Sequence, residues 1–283
     1  MIKVMKILRI LPDKVYLQIM SIYHIHRFIN FMHPVTFSDK IQWLKINYKK
    51  PEYTIMVDKY RCKKFVSDII GEEYIIPTIG VWKKPQDIEF DKLPNQFVLK
   101  CNNDSGGVII CKDKSTFDFS HAVTYLTKRI ENNGFWYGRE WPYKNVKPCI
   151  IAEKYMKDSQ SEELRDYKFY CFNGEPKYCQ VISNRNTNET IDFFDMKWKH
   201  QEFSGLALPR KPFSSTSIPV PLKLNKMIEF AKALSKGIPF IRVDFYEVNG
   251  SLYFGELTFF PASGFGMFTP NSWNYKIGKM IKI

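Results

Sequence analysis

The chain has 283 residues, 45% of them hydrophobic and 16% aromatic, with a formal net charge of +13. Such a composition suits a bulky globular core spread over one large domain or two to three small ones. It excludes several classes: no apolar run reaches transmembrane length, and six scattered cysteines without a CxxC pair argue against zinc or a disulfide scaffold.

The basic surface attracts polyanions of any kind. No nucleic-acid-binding signature accompanies it, so nucleic acid is not an expected partner. Reduced thiols and the lack of a small-residue cleavage site near the basic, apolar start predict a cytoplasmic location.

In chain order, residues 1–32 predict a helix with an amphipathic stretch at 15–31, basic along one edge. Such a stripe packs on its own domain or touches a membrane surface. His24, His26 and His33 are not spaced to converge on a metal. Pro34 breaks the helix, and Thr36 or Ser38 caps the next one, which runs to about Tyr48. Residues 52–70 predict one more helix, ended by Gly71. Short strands are expected near 75–76 and 79–82.

Phe97 to Lys100 reads as a strand. It enters Cys101-Asn102-Asn103-Asp104-Ser105-Gly106-Gly107, followed by a second strand at 108–111. Glycines let backbone amides approach phosphate, and Lys100 adds a point charge. No GK[ST] follows, so this is not a Walker A loop; taken alone, a Ser-Gly-Gly turn is usually only a turn.

Residues 116–131 predict a helix capped by Ser115 or Thr116. An apolar strand at 149–152 leads into Glu153-Lys154-Tyr155-Met156. A long hairpin follows, strands 166–172 and 176–182 around Asn173-Gly174, with Lys168 on its first arm. Residues 183–221 are polar and proline-bearing, and 223–235 predict an amphipathic helix.

The last stretch, IPFIRVDFYEVNGSLYFGELTFFPASGFG, reads as a hairpin around Asn249-Gly250. Arg242, Asp244 and Glu256 sit among its aromatics. A two-residue turn pairs Val248 with Ser251, puts Asp244 opposite Gly255 and turns Glu256 to the other face. A three-residue loop, 248–250, pairs Glu247 with Ser251, so that Glu256 lies opposite Arg242 and Asp244 opposite Phe254. The three-residue form is expected, because it gathers the charges on one face. Two carboxylates and an arginine there suit Mg²⁺ and phosphate; the plainer alternative is a structural Arg–carboxylate pair.

The phrases PVTFSDKIQWLK, LPNQFVLKCNNDSGG, LRDYKFYCFNGEPKY and FGELTFFPASGFG, in this order, resemble the ATP-grasp superfamily and within it the TupA-like group, named for teichuronopeptide biosynthesis. The resemblance covers most of the chain from Pro34 to Gly266. It implies an α+β ATP-grasp fold, two α+β lobes holding ATP between antiparallel sheets, with a helical N-terminal segment. The implied division is 1–94, an N-terminal helical or α+β domain, then 95–155, a small lobe, then 156–283, a large lobe.

By the same resemblance, Lys100 contacts phosphate, and Ser105, Gly106 and Gly107 cover the triphosphate. Glu153, Lys154, Tyr155 and Met156 form the hinge, meeting adenine through backbone groups. Lys168 is a second phosphate lysine, and Arg242 faces the transferred phosphoryl group. Asp244, Glu256 and Thr258 hold Mg²⁺, with Thr258 standing where many relatives have asparagine. Asp158, Glu162 or Glu163 meets ribose.

The implied reaction is ATP-dependent amide formation through an acyl phosphate, in cell-surface polysaccharide assembly. An amine donor joins an anionic sugar or polysaccharide precursor, at the inner face of the membrane. A kinase or a glycosyltransferase is the alternative.

Overall fold

The predicted alternations become two antiparallel sheets in the computed structural model, which describes residues 9–104, 106–159, 164–185, 187–206 and 210–283. Two compact units result: Lys50–Lys157, and Met1–Lys49 together with Asp158–Ile283. The division expected after residue 94 falls inside the smaller unit, because a strand before it joins that unit's sheet.

In the smaller unit, β1 (Thr78–Trp82), β2 (Phe97–Cys101), β3 (Val108–Cys111) and β4 (Ile150–Lys154) pair in the order β1-β4-β2-β3. Phe97, Leu99 and Cys101 alternate with Val98 and Lys100, so the two sets face opposite sides. The first set, with Cys111, Ile150 and Ala152, shares a core with Leu126 of the helix Phe119–Ile130. The second side carries Lys100 and Glu153 beside Val108 and Ile110, both of which stay exposed.

Two helical stretches of this unit differ from expectation. Asp118, not Ser115 or Thr116, caps Phe119–Ile130 by accepting from His121 N. Ser115 is instead taken into a turn with the Asp113 carboxylate. Residues 52–70 form two helices, Glu52–Val57 and Arg61–Ile70. At the break, Asp58 accepts from Tyr60 N, Arg61 N and Asn102 Nδ2. A carboxylate bonded to amides ahead of it offers the backbone an alternative to continuing the helix.

In the larger unit, β5 (Asp166–Phe172), β6 (Glu175–Ser183), β7 (Thr190–Asp195), β8 (His200–Gln201), β10 (Phe240–Val248) and β11 (Ser251–Thr258) form one sheet, ordered β11-β10-β5-β6-β7-β8. Two short strands, β9 (Ser204–Gly205) and β12 (Phe268–Thr269), pair separately. The helix Leu224–Ser235 lies across β5, β6 and β10 and buries Met227, Ala231 and Leu234. The sheet answers with Phe169, Cys171 and Val243, fully buried, with Cys171 Sγ 3.9 Å from Ala231 O.

The opposite sheet face is closed at one end by aromatics. Phe37, on the helix Phe37–Asn47, meets Phe240 edge to face at 5.1 Å. Thr36 caps that helix in a reciprocal capping box with Asp39. The preceding helix, Asp13–Ile25, is shorter than expected because His26 turns left-handed, with φ of 52°. Residues 1–8 of the expected helix lie outside the described residues. Tyr16, Leu17 and Met20 pack with Phe265, whereas Val15, Ile19, Ile22 and Tyr23 are exposed.

The register of the last hairpin is the main correction. Val248 pairs with Ser251, so the turn holds two residues, not three. Asn249 and Gly250 have φ of 50° and 75°, the double left-handed geometry that an Asn-Gly hairpin turn requires. The phase is then reset by a bulge: Phe245 faces Phe254, but Asp244 faces Glu256. Gly255 is the extra residue. A Cβ there would lie 3.0 Å from the Tyr246 ring and 3.1 Å from Asp244 O. One inserted residue turns every later side chain over. Asp244, Glu256, Arg242 and Thr258 therefore share a face after all, with Arg242 opposite Thr258 and not Glu256.

Candidate functional site

On the larger sheet, neighbouring strands bring five charged or polar side chains together. Asp244 is the cross-strand partner of Lys168 on one side and Glu256 on the other. Arg242 grips Asp244 with two nitrogens: Nε donates to Oδ1 and Nη2 to Oδ2, both at 2.7 Å. Lys168 Nζ donates to Oδ2 at 2.5 Å and lies 3.7 Å from Asp166. Arg242 Nη2 also donates to Thr258 Oγ1 at 3.1 Å, and is 4.0 Å from Glu256.

Burial grades this cluster: the Asp244 side chain is 2% exposed, Arg242 14% and Glu256 34%. Burial alone would raise the Asp244 pKa. Arg242 and Lys168 outweigh it and hold the carboxyl below its ordinary value. Arg242 moves the other way, its charge secured by Asp244 against the cost of burial.

The smaller sheet holds a second buried carboxylate. Glu153 receives Lys100 Nζ at 2.5 Å on one oxygen and Lys63 Nζ at 2.6 Å on the other. Lys63 also donates to Ile76 O at 2.8 Å and Thr78 Oγ1 at 2.7 Å. Burial lowers the Lys63 pKa, with Glu153 offsetting it in part. Burial would raise that of Glu153, but Lys100 and Lys63 bring it below the ordinary value. Glu153 thus works through its side chain as well as through strand backbone. Lys154 is exposed, and Tyr155 and Met156 are half-buried beyond the strand end.

Both depressed carboxylates shift the acid limb of stability in one direction. Each binds fewer protons folded than unfolded, so their contribution is complete above the unfolded pKa of about 4. It is lost as pH falls through the lower folded values. Unfolding free energy is therefore expected to hold from neutral pH down to about pH 5 and then fall. Urea titrations at stepped pH check this; a fall beginning near pH 7 contradicts it.

The glycine turn of the smaller unit is pinned at its base. Asn102 Oδ1 accepts from Cys149 N at 2.8 Å, and Asn103 Nδ2 donates to Ile130 O and Asn132 O at 3.1 Å. Asp104 accepts from Gly107 N and pairs with Arg129 at 2.6 Å, while Lys59 Nζ donates to its carbonyl. Gly106 has φ of 88°, and a Cβ on Gly107 would strike the Asp104 carboxylate at 2.6 Å. Ser105 lies outside the described residues.

So do Glu162 and Glu163, two of the three ribose candidates. The third, Asp158, accepts from Asn249 N at 2.9 Å at the hairpin turn. No disulfide forms among the described cysteines, and burial pushes the Cys101 and Cys149 thiols up to about 12.

Mg²⁺ calls for hard oxygen donors, with phosphate and water completing its shell. Asp244 and Glu256, paired across adjacent strands, fit in kind and placement. Among the described residues no group of three or more metal-ligating His, Cys, Asp or Glu occurs. Asp244 already carries two cationic partners, so Glu256 is the more accessible donor. Lys63 and Lys59 were missed by sequence reasoning. Both lie on residues 58–64, far along the chain from Glu153 and Asp104, and nothing local marks them.

A lysine-bearing four-stranded sheet with a pinned glycine turn, in one chain with a larger antiparallel sheet carrying Lys, Arg and paired carboxylates, defines an ATP-grasp protein. The TupA-like ATP-grasp family model matches residues 39–282, and the chain belongs to that family.

Among solved structures it is similar to D-alanine–D-alanine ligase from Bacillus anthracis complexed with ATP, at 21% identity and a TM-score of 0.40 over 72% of this chain and 53% of that one. The Helicobacter pylori D-alanine–D-alanine ligase gives 12%, 0.44, and 87% and 69% coverage. ATP-grasp ligase PsnB complexed with minimal precursor, Mg and ADP gives 11%, 0.39, and 78% and 57%. The chain spans just over half the length of the first of these. No curated protein matches it.

Proposed function

We propose that the chain is an ATP-dependent carboxylate–amine ligase. The observation that carries this reading is the Arg242–Asp244–Lys168–Glu256 face, in a member of an ATP-grasp family. A substrate carboxylate oxygen attacks the γ-phosphorus of ATP, and ADP leaves. An amine nitrogen then attacks the carbonyl carbon of the acyl phosphate, and phosphate leaves.

Arg242, held rigid by Asp244 and Thr258, meets the charge that develops on the transferred group. Thr258 serves this reading better as the acceptor that aims Arg242 than as a metal ligand. Glu256 with Asp244 would hold Mg²⁺, which would offset phosphate charge. Lys100, Gly106 and Gly107 meet phosphate, and Lys154, Tyr155 and Met156 border adenine.

The substrates are an amino acid and a uronic acid or second amino acid, in cell-surface polysaccharide assembly. Product analysis separates this from the alternatives. An amide with ADP supports ligation, a phosphate ester means a kinase, and turnover of a nucleotide sugar without ATP means a glycosyltransferase.

Lys100→Ala is expected to weaken ATP binding by about 1.5–3 kcal/mol, the worth of one charge-assisted contact, with the fold kept because Lys63 still neutralises Glu153. Lys168→Ala is expected to weaken binding and also to lower the melting temperature, since Lys168 is a buried partner of Asp244. Calorimetric titration with ATP checks both. Unchanged affinity in each variant would remove the two lysines from the site.

No helix of the described residues is long and apolar enough to cross a membrane. The helix Asp13–Ile25 nevertheless exposes Val15, Ile19, Ile22 and Tyr23, followed by Phe28 and Met32, in a chain of charge +13. A helix apolar on both faces calls for a partner on each, and this one is proposed to rest on an anionic membrane surface. Co-sedimentation with phosphatidylglycerol vesicles but not phosphatidylcholine vesicles is expected. Equal recovery with both, or a dimer through this face, speaks against it.

A further inference from the structure

A cavity of about 340 Å³ opens on the same face of the larger sheet as the charged cluster. Register places it there: of its lining residues, Tyr170 is the partner of Arg242 and Ile191 of Ile182, while Gln180 is the partner of Lys168 in the charged cluster. Its volume lies within the range of small-molecule sites. Its polar lining is uneven. Arg242 forms one part of the wall and Arg185 another, with Gln180 and Glu189 between apolar neighbours. Arg185 is steadied by Asp166, Glu189 by Lys211 at 3.0 Å, and the Gln180 amide oxygen accepts from Tyr170 Oη at 3.0 Å.

Part of the remaining wall comes from a strained turn. The turn Pro261–Gly264 contributes Pro261 and Ala262. Ala262, Ser263 and Gly264 have φ of 49°, 50° and 66°, three left-handed residues in a row. L-residues resist that conformation, and it persists only where surroundings dictate it. Here the helix Phe37–Asn47 dictates it. Gln42 Nε2 and Lys45 Nζ both donate to Ser263 O, at 3.1 and 2.7 Å. Lys45 is 2% exposed and lies over the Phe265 ring at 4.9 Å. A Cβ on Gly264 would meet Ile41 at 2.6 Å, so the helix presses directly on the turn. A buried lysine spent on holding a strained turn makes sense if the turn must keep a cavity wall in shape.

We propose that this cavity is the binding site for the acid substrate: a carboxylic acid the size of one sugar or amino-acid unit. Resting on the ligase reading above, the reacting carboxylate lies at Arg242, which the cavity shares with the charged cluster. Arg185, elsewhere in the lining, recognises a second polar or anionic group, since a planar guanidinium pairs with a carboxylate through two parallel hydrogen bonds. Glu189 takes a hydroxyl or ammonium group. Gln42 and Lys45 are positioning residues that act through the turn.

Saturation-transfer NMR on the full chain tests this, with d-glucuronate, l-glutamate and neutral d-glucose as separate probes. Transfer to at least one acid and none to glucose is expected. Arg185→Gln should weaken that binding at least tenfold, and Arg185→Lys, which keeps the charge beside Asp166, by less. Both variants should keep the wild-type rise in melting temperature with Mg²⁺ and ATP. Transfer to neither acid, or equal binding in wild type and Arg185→Gln, overturns the assignment. If ATP displaces the acid from wild type competitively, the cavity is a phosphate site, and the assignment is again overturned. If acids bind as expected but Mg²⁺ and ATP leave the melting temperature unmoved, the nucleotide reading fails and the acid site stands.

Discussion

Asp244→Ala is expected to cost about 3–5 kcal/mol of stability, the penalty for removing one partner of a buried ion pair. Asp244 is the shared acceptor of Arg242 and Lys168, all three buried or nearly so. Removing its carboxylate leaves two cations in a low-dielectric setting with too little to answer them. Asp244→Asn keeps shape and one acceptor oxygen, so it should fall between alanine and wild type. Urea unfolding monitored by circular dichroism gives the ranking. A loss under about 1 kcal/mol for alanine would mean that water reaches the cluster and that its charges are solvated.

Glu256→Gln is expected to behave in the opposite way. Glu256 is a third exposed and stands 4.0 Å from Arg242, whose main partner is Asp244. Solvent screens its contribution to folding, and the amide keeps the shape. Turnover, by contrast, is expected to fall at least about a hundredfold, because a neutral amide cannot supply the charge that Mg²⁺ draws on. Melting temperature and ADP release on this one variant separate the readings. A large loss of stability with activity retained in the folded fraction would make Glu256 scaffold.

These two residues also show where the sequence was informative and where it was not. The alternation of Arg242, Val243, Asp244 and Phe245, and the Asn249-Gly250 pair, made the hairpin legible from local pattern alone. The charged face was legible too, but by way of the wrong turn. Local pattern favours a three-residue loop that brings Glu256 round, whereas the chain uses the tighter turn and places its extra residue at Gly255. Gly255 sat in the alternating run as an ordinary strand position. Only the register of the folded pair, Asp244 with Glu256 but Phe245 with Phe254, marks it as a bulge.

Long-range partners account for part of what the local pattern did not show. Asp58, which breaks a helix by accepting from Tyr60 N and Arg61 N, also accepts from Asn102, 44 residues on. Lys63 completes the Glu153 site from 90 residues away, with no local signal in its own helix. The phrase PVTFSDKIQWLK carried the family resemblance without a stated role for most of its residues. Gln42 and Lys45 acquire one only when Ser263 is seen to receive both.

The proposed function requires that the chain bind a magnesium nucleotide. Its most direct test is the melting temperature of the full chain with ATP alone, with ATP and Mg²⁺, and with ATP, Mg²⁺ and excess EDTA. The account predicts a rise with ATP and Mg²⁺ that grows with ligand concentration, as binding to the native state alone requires, and that EDTA removes. No rise with ATP and Mg²⁺, or the same rise in the presence of EDTA, would contradict it.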